Sequence, residues 1–145
     1  MKTLLTSFFL VLVVFAYSQP VYEWEIYEKP LMISKTNANT INAFENTPES
    51  IVSYFYASKI RNDKKWQKVI PALENRSEKL KRNLIKYERW NISRFQLRSK
   101  TEFEKNKLWV KIFFEIEYDG QKDSGTDEVT LHLIDGVWII VGVPT

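Results

Sequence analysis

Apolar and polar side chains alternate through the last third of the chain, as they do in a strand with one buried face. From Val110 to Tyr118 apolar residues occupy every second position, and mostly charged residues lie between them. Successive side chains of a strand point to opposite faces, so this spacing predicts a strand with an apolar inner face. A loop over residues 119–127 is expected next. Asp135 and Gly136 separate two further apolar runs and fit a two-residue turn with positive φ at both positions.

Three helix starts precede this antiparallel sheet. Thr47 suits the N-cap position and Pro48 the first helical position, and an apolar stripe follows at helical spacing. A second short helix is predicted from Lys64 and is stopped by Pro71. A capping-box pattern that begins at Asn75 precedes the apolar stripe of a third helix.

The segment after the third helix changes its strand parity. Trp90 and Ile92 share one parity, whereas Phe95 shares the other with the apolar residues that follow it. One strand holds both sets only with an irregularity, so we predict a β-bulge near Ser93–Arg94. The predicted fold class is α+β, with three N-terminal helices packed on a curved antiparallel four-stranded sheet, a cone or roll.

The N-terminal residues predict export. The apolar run from Leu4 to Ala16 is too short to span a bilayer comfortably, and small residues precede a cleavage point after residue 18. We interpret residues 1–18 as a signal peptide, with an uncleaved membrane anchor as the alternative. Residues 19–46 are then a short N-terminal arm or linker, with an edge strand near its start, and residues 47–145 form the domain. The expected location is periplasmic or extracellular.

Composition narrows the classes of partner. The formal net charge is only +3, which gives no electrostatic footprint for nucleic acid. The chain has no cysteine, so disulfides and a cysteine-linked lipid are excluded. No stable membrane insertion is expected once the signal peptide is removed.

Two stretches resemble a known family. One is the segment that opens with Thr47-Pro48 and runs to Trp66, and the other is the ending Asp135-Gly-Val-Trp138. Both are similar to small secreted bacterial domains of the nuclear transport factor 2-like (cystatin-like cone) superfamily. The resemblance covers about residues 47–143 and implies a cone of helices wrapped by a curved sheet. It implies little about function, because this cone hosts enzymes, binding modules and structural domains.

Few side chains offer chemistry. His132 is the only histidine and lies between two leucines of inner parity, so it is expected to point outward. Glu115 and Glu117 share the outer parity of their strand, and we interpret them as solvated rather than as a catalytic pair. The basic strip around Arg98 and the basic stretch on the third helix are interpreted as solvated surfaces as well.

Large apolar side chains on the outer parity of the sheet predict an interface. The interface candidates are Trp109, Phe113, Trp138 and Ile140. Either the N-terminal arm with Trp24 folds over this face, or two copies pair through it as a homodimer; cover by a helix is a third option.

The inner parity predicts an apolar pocket inside the cone. The pocket-lining candidates are Tyr54, Phe55, Trp66, Trp90, Phe114 and Leu131. No catalytic residue, metal ligand or cofactor is predicted, because zinc-ligand spacing, a phosphate loop and a nucleophile elbow are missing from the sequence. The leading hypothesis is a secreted non-catalytic module that binds a small apolar ligand or a protein. The alternative is a small-molecule isomerase, dehydratase or hydrolase that uses an acid in the cone pocket, such as Glu102.

Overall fold

The computed structural model describes residues 19–145, and the predicted signal peptide lies outside the described residues. Two α-helices lie on one face of a six-stranded antiparallel sheet, an α+β arrangement. The helices are α1 (Pro48–Arg61) and α2 (Glu78–Arg89). The strands are β1 (Glu25–Ile26), β2 (Met32–Ser34), β3 (Asn91–Glu104), β4 (Lys107–Tyr118), β5 (Gln121–Ile134) and β6 (Val137–Gly142).

Consecutive hairpins build the sheet in the order β1-β3-β4-β5-β6, and β2 also pairs with β3. The predicted hairpin turn at Asp135-Gly136 is confirmed, with φ of 51° and 77° at the two positions. Asp119-Gly120 makes the same kind of turn between β4 and β5, with φ of 49° and 76°. Both turns match the right-handed twist of the strands they join.

The prediction of three helices is wrong. The helix start at Thr47 is confirmed, since the Thr47 hydroxyl accepts the Ser50 N–H. The third predicted helix forms as α2, but its N-cap is Ser77, whose hydroxyl accepts the Leu80 N–H at 3.1 Å, whereas Asn75 lies in a 3-10 turn. The segment Lys65–Val69, however, forms only a 3-10 turn. Ile70 precedes Pro71 and is extended, with φ −121° and ψ 161°. A residue before proline is excluded from the helical region, so too few residues remain to complete an α-helix.

The prediction of four strands is also wrong, because the N-terminal arm adds two more. Ile26 pairs with Ser99, and Ile33 pairs with Phe95, so both arm strands lie along β3. Ile33 is completely buried. The arm therefore contributes two strands to the sheet, of which β1 is the edge strand predicted near its start and β2 is not predicted. Its short strands lack a long alternating pattern, and only β3 supplies the hydrogen-bonding partner that makes them strands.

Most of the loop expected over residues 119–127 is likewise strand, and only Asp119-Gly120 is a turn. Gly125 pairs with Phe114 and Asp127 with Ile112, so β5 begins at Gln121. Its first half has no apolar face, which is why its sequence reads as a loop. By contrast, the bulge predicted near Ser93–Arg94 is confirmed by a register shift between Ile92 and Arg94.

The inner face of the sheet carries the core, and two predicted outer residues belong to it. Ile140 pairs with Leu131 and is completely buried. Trp138 is partly buried against the same core. The predicted outward placement of Trp138 and Ile140 is therefore wrong: β6 has the opposite parity from the one assumed, and its inner residues face α1. Among residues 19–145, no helix has the length and apolar character needed to cross a membrane.

Candidate functional site

The outer face of the sheet is covered in part by the chain's own N-terminal arm. Tyr22 meets Trp109 edge-on, with ring centroids 5.1 Å apart. The Lys111 Nζ lies 4.0 Å from the centroid of the Trp24 ring, and the Thr101 hydroxyl donates to a backbone carbonyl of the arm at 2.6 Å. The sequence leaves two main candidates for covering this face, the N-terminal arm and a second copy of the chain. In the structure the arm covers part of it.

Phe113, a further aromatic residue on this face, lies beneath two guanidinium groups. Arg94 and Arg98 stand 5.5 Å and 5.3 Å from the centroid of its ring. Arg94 also pairs with Glu115 at 2.7 Å. A cation over an aromatic face is attracted by the ring quadrupole, so these arginines shield Phe113 from solvent.

The space between the helices and the sheet is filled by side chains. Tyr54, Phe55, Trp66 and Leu131 are all buried in one continuous core, and Phe55 meets Trp66 edge-on at 5.8 Å. Among the described residues, no acidic, basic or histidine side chain is buried. The buried polar residues are Ser53, Ser58, Asn83, Gln96, Ser99 and Thr101.

Two buried tyrosines satisfy each other inside this core. The hydroxyls of Tyr56 and Tyr87 are hydrogen-bonded to each other, and the Tyr56 ring stacks on Phe95 with centroids 4.6 Å apart. Burial raises the pKa of both phenols well above the ordinary value, and the negative charge of Asp127 adds to this effect. Both phenols are therefore neutral near pH 7 and act as structural hydrogen-bonding groups.

A half-buried ion pair joins the arm to α1 and β3. The Glu49 carboxylate accepts hydrogen bonds from the Tyr27 hydroxyl at 3.0 Å and from the Lys100 Nζ at 2.6 Å. Burial opposes ionisation of Glu49, but the Lys100 and Tyr27 hydrogen bonds outweigh it, so the pKa of Glu49 is lowered. The hydrogen bond from Lys100 to Glu49 in turn raises the pKa of Lys100.

The side of the fold next to the first half of β5, with which β6 does not pair, is here called the open side. It contains a small groove of about 220 Å³, here called the Trp90 groove. Trp90 and Phe114 lie roughly parallel in it, with centroids 6.3 Å apart. Phe114 is buried, whereas Trp90 remains partly exposed. The groove is lined by Trp90, Phe114, Ile116, Asp123, Ser124, Gly125, Thr126, Asp127 and Thr145. It therefore has an apolar floor and a polar rim supplied by β5.

A second depression of about 370 Å³ adjoins the Trp90 groove and shares Asp127 and Thr145 with it. It lies between α2 and the end of β6. There the Asn83 side chain donates a hydrogen bond to the Val143 carbonyl at 2.8 Å. This contact fixes the residues that follow β6 against α2.

The first half of β5 is a free sheet edge. Residues 121–129 pair with β4 on one side, and β6 pairs with β5 only from Thr130 onward. The N–H groups of Ser124 and Glu128 are met by the carboxylates of the residues just before them, at 2.8 Å and 2.7 Å. These N–H groups therefore point away from β4. The Trp90 groove opens directly beneath this edge.

The acidic and histidine candidates do not reach the interior. Glu102 is exposed, and its carboxylate accepts the Asn106 N–H at 3.0 Å in the turn between β3 and β4. Glu115 and Glu117 border an open polar depression at the sheet end. His132 lies on the outer face, where partial burial and the nearby Lys107 lower its pKa. Glu102 therefore does not reach the interior, and the acidic side chains that border the Trp90 groove are those of Asp123 and Asp127.

Comparison of the chain with protein-family models, curated proteins and solved structures gives no significant match. The resemblance to the nuclear transport factor 2-like superfamily stays a prediction. The site residues that sequence reasoning missed are Gly125, Asp123 and Asp127 of β5. The available signal was the Ser-Gly-Thr run after an Asp-Gly turn, which is typical of an exposed strand edge with a small residue at its centre.

Proposed function

We propose that this protein is an exported, non-catalytic interaction module, with a nuclear transport factor 2-like cone that is filled rather than hollow. The observation that carries this proposal is the absence of any charged or histidine side chain from the interior of the described residues. General acid–base chemistry in a cone requires such a group within reach of a bound substrate. Here aromatic rings occupy that space.

The surface available for a partner is the open side of the fold rather than the outer sheet face. The arm places Tyr22 on Trp109, and the two arginines cover Phe113. At the Trp90 groove, by contrast, an aromatic floor meets an uncovered strand. A concave apolar floor with a few polar groups at its rim is the usual form of a recognition site.

A small apolar probe tests whether the interior is filled. Benzene or xenon binds a dry cavity but finds no space in a close-packed core. We expect no thermal stabilisation of the wild-type protein by saturating benzene. Leu131→Ala, which empties a fully buried position on β5, should bind benzene and regain part of its lost stability. Benzene binding by the wild type inside the core would overturn the proposal and restore the enzyme alternative.

Site-specific photo-cross-linking tests the choice of surface. A benzophenone side chain at Ser124, on the rim of the Trp90 groove, should give a discrete protein adduct in the exporting host. The same group at the exposed Glu74 should give none. The adduct should be lost in Trp90→Ala. An adduct that survives this substitution, or that forms equally from Glu74, would argue against the open side.

A further inference from the structure

We propose that the free edge of β5 binds an extended, basic peptide segment as an additional antiparallel strand, with one apolar side chain of that segment in the Trp90 groove. This inference rests on the proposed function as an interaction module. It adds the chemical class of the partner and the way it is bound.

The backbone of the edge is arranged for strand addition. In an antiparallel sheet, every second residue directs both its N–H and its C=O to the same side. Since the N–H groups of Ser124 and Glu128 point away from β4, the backbone groups of Thr126 between them do so too. An incoming strand takes the place of the Asp123 and Asp127 carboxylates at the Ser124 and Glu128 N–H groups, and these carboxylates are then available for the side chains of that strand. The side chains of Ser124 and Thr126 are exposed, and within residues 19–145 no strand pairs with this edge; Thr145 lies beside it, at the border of the groove. Main-chain hydrogen bonds of this kind supply the affinity when a peptide joins a sheet.

Gly125 places the groove under the centre of the incoming strand. Its partner in β4 is Phe114, whose side chain forms the floor of the groove. An added Cβ at Gly125 would meet no atom within 4 Å, so open space lies on this side of the strand. Residues directly opposite each other on paired strands share a face. The peptide residue opposite Gly125 therefore points at Phe114 and Trp90, and the volume of about 220 Å³ suits a leucine-sized side chain.

The acidic side chains on the β5 edge determine which peptide residues are favoured on either side of the apolar anchor. Asp123 and Asp127 lie two positions before and after Gly125, on the same face, and both are exposed. Peptide residues two positions on either side of the apolar anchor stand opposite these carboxylates. Opposite charges at facing positions stabilise a strand pair, whereas like charges destabilise it. The predicted pattern is thus basic, any residue, apolar, any residue, basic.

The same charges disfavour a second copy of this chain as the occupant. If two β5 edges paired about Gly125, Asp123 of each copy would face Asp127 of the other. Lys122 would then meet Glu128, but only on the outer face. Acidic side chains on an edge strand commonly prevent self-association. Here they leave the edge open to a partner of opposite charge.

Peptide binding to the purified protein tests this inference. The probe is the synthetic peptide Thr-Lys-Thr-Leu-Thr-Lys-Thr, and the matched control peptide carries glutamate in place of both lysines. We expect the lysine peptide to shift the backbone amide NMR signals of residues 122–128 and the indole signal of Trp90. The control peptide should bind at least about tenfold more weakly, as should the lysine peptide when salt is raised.

Two protein variants separate the parts of the site. Thr126→Pro removes an outward N–H while leaving the pairing with β4 intact, so it should weaken binding at least about tenfold. Asp127→Lys should reverse the preference so that the glutamate peptide gains on the lysine peptide. The control Glu74→Lys changes an exposed charge away from the edge and should leave both affinities unchanged.

Several outcomes would overturn the inference. These are unmoved amide signals of residues 122–128 at millimolar peptide, equal binding of the two peptides, or a dimer in sedimentation that Thr126→Pro abolishes. If the interior also excludes benzene and cross-linking still yields an adduct, the proposed function stands and only the strand-addition inference fails. Benzene binding by the wild type would instead remove the proposed function itself.

Discussion

The hydroxyl oxygens of Tyr56 on α1 and Tyr87 on α2 lie 2.7 Å apart inside the core. Within the described residues, this is the one hydrogen bond of either hydroxyl. The Tyr56 ring also stacks almost parallel on Phe95 of β3, at an interplanar angle of 3°. The pair therefore fixes the two helices to each other and positions both against the sheet.

Removing one hydroxyl of this pair should cost more than removing both. Tyr87→Phe leaves the buried Tyr56 hydroxyl without a partner, which costs about 1–3 kcal/mol. The double variant Tyr56→Phe with Tyr87→Phe leaves no polar atom unpaired and should be closer to the wild type than either single variant. Urea unfolding of the four proteins gives the coupling free energy. Additive single effects would show that the hydroxyls do not depend on each other.

Acid should destabilise the protein partly through Glu49. The folded-state pKa of Glu49 lies below the ordinary value of 4.5, so its contribution is complete above about pH 4.5. The contribution is lost as the pH falls through the folded pKa, because the unfolded state takes up the proton first. Glu49→Gln should therefore flatten the loss of stability on acidification, with Glu74→Gln as the exposed control. A residual slope is expected from Asp63, whose pKa is also lowered.

Lys100, which pairs with Glu49, should cause a second loss of stability at alkaline pH. The pKa of Lys100 is raised above its ordinary value of 10.5. Its contribution to stability is therefore complete below about pH 10.5 and is lost as the pH rises through the folded pKa. Lys100→Met should remove that alkaline loss, whereas the exposed Lys105→Met should not. Thermal unfolding between about pH 9.5 and 12 measures both variants, and an alkaline loss that persists in Lys100→Met would contradict the assignment.

The arm should stabilise the sheet through Tyr22. Tyr22→Ala removes an edge-on aromatic contact with Trp109 and exposes more of the indole, which still stacks on Phe103, at an expected cost of about 1–2 kcal/mol. The matched control Val21→Ala changes a neighbouring side chain that is 94% exposed and should be neutral. Chemical unfolding gives the stability, and tryptophan fluorescence reports the exposure of Trp109. Equal stabilities of the two variants would show that the arm contact contributes nothing measurable.

One asparagine should anchor the hairpin between β5 and β6. The Asn46 side chain donates to the Gly136 carbonyl at 2.7 Å and accepts the Trp138 N–H at 2.9 Å. Asn46→Ala loses both bonds and should destabilise the protein by about 1–2 kcal/mol. Asn42→Ala, at an exposed neighbouring position, is the control. Faster amide hydrogen exchange at Trp138 in Asn46→Ala alone would locate the effect, and unchanged exchange there would contradict it.

Local signals in the sequence predicted the features that depend on neighbouring residues. The Thr47 cap, the Asp135-Gly136 turn and the bulge near Ser93–Arg94 are present because hydroxyl caps, positive φ and strand parity act over a few residues. The prediction of a helix from Lys64 is wrong for a local reason as well, because Ile70 is extended before Pro71 and shortens the segment to a 3-10 turn.

The sequence by itself determined the α+β character and the apolar inner parity of β4, since both depend on periodicity along one segment. Only the tertiary structure decided that the predicted edge strand of the arm pairs with β3, that Met32–Ser34 forms a second arm strand, that Ile140 faces inward and that residues 121–129 form an edge that no described strand covers. Each of these depends on which strand lies alongside, and in which register. Pairing between strands that are far apart in the chain leaves no periodic pattern in the residues themselves. The same holds for the half of β5 that no described strand covers.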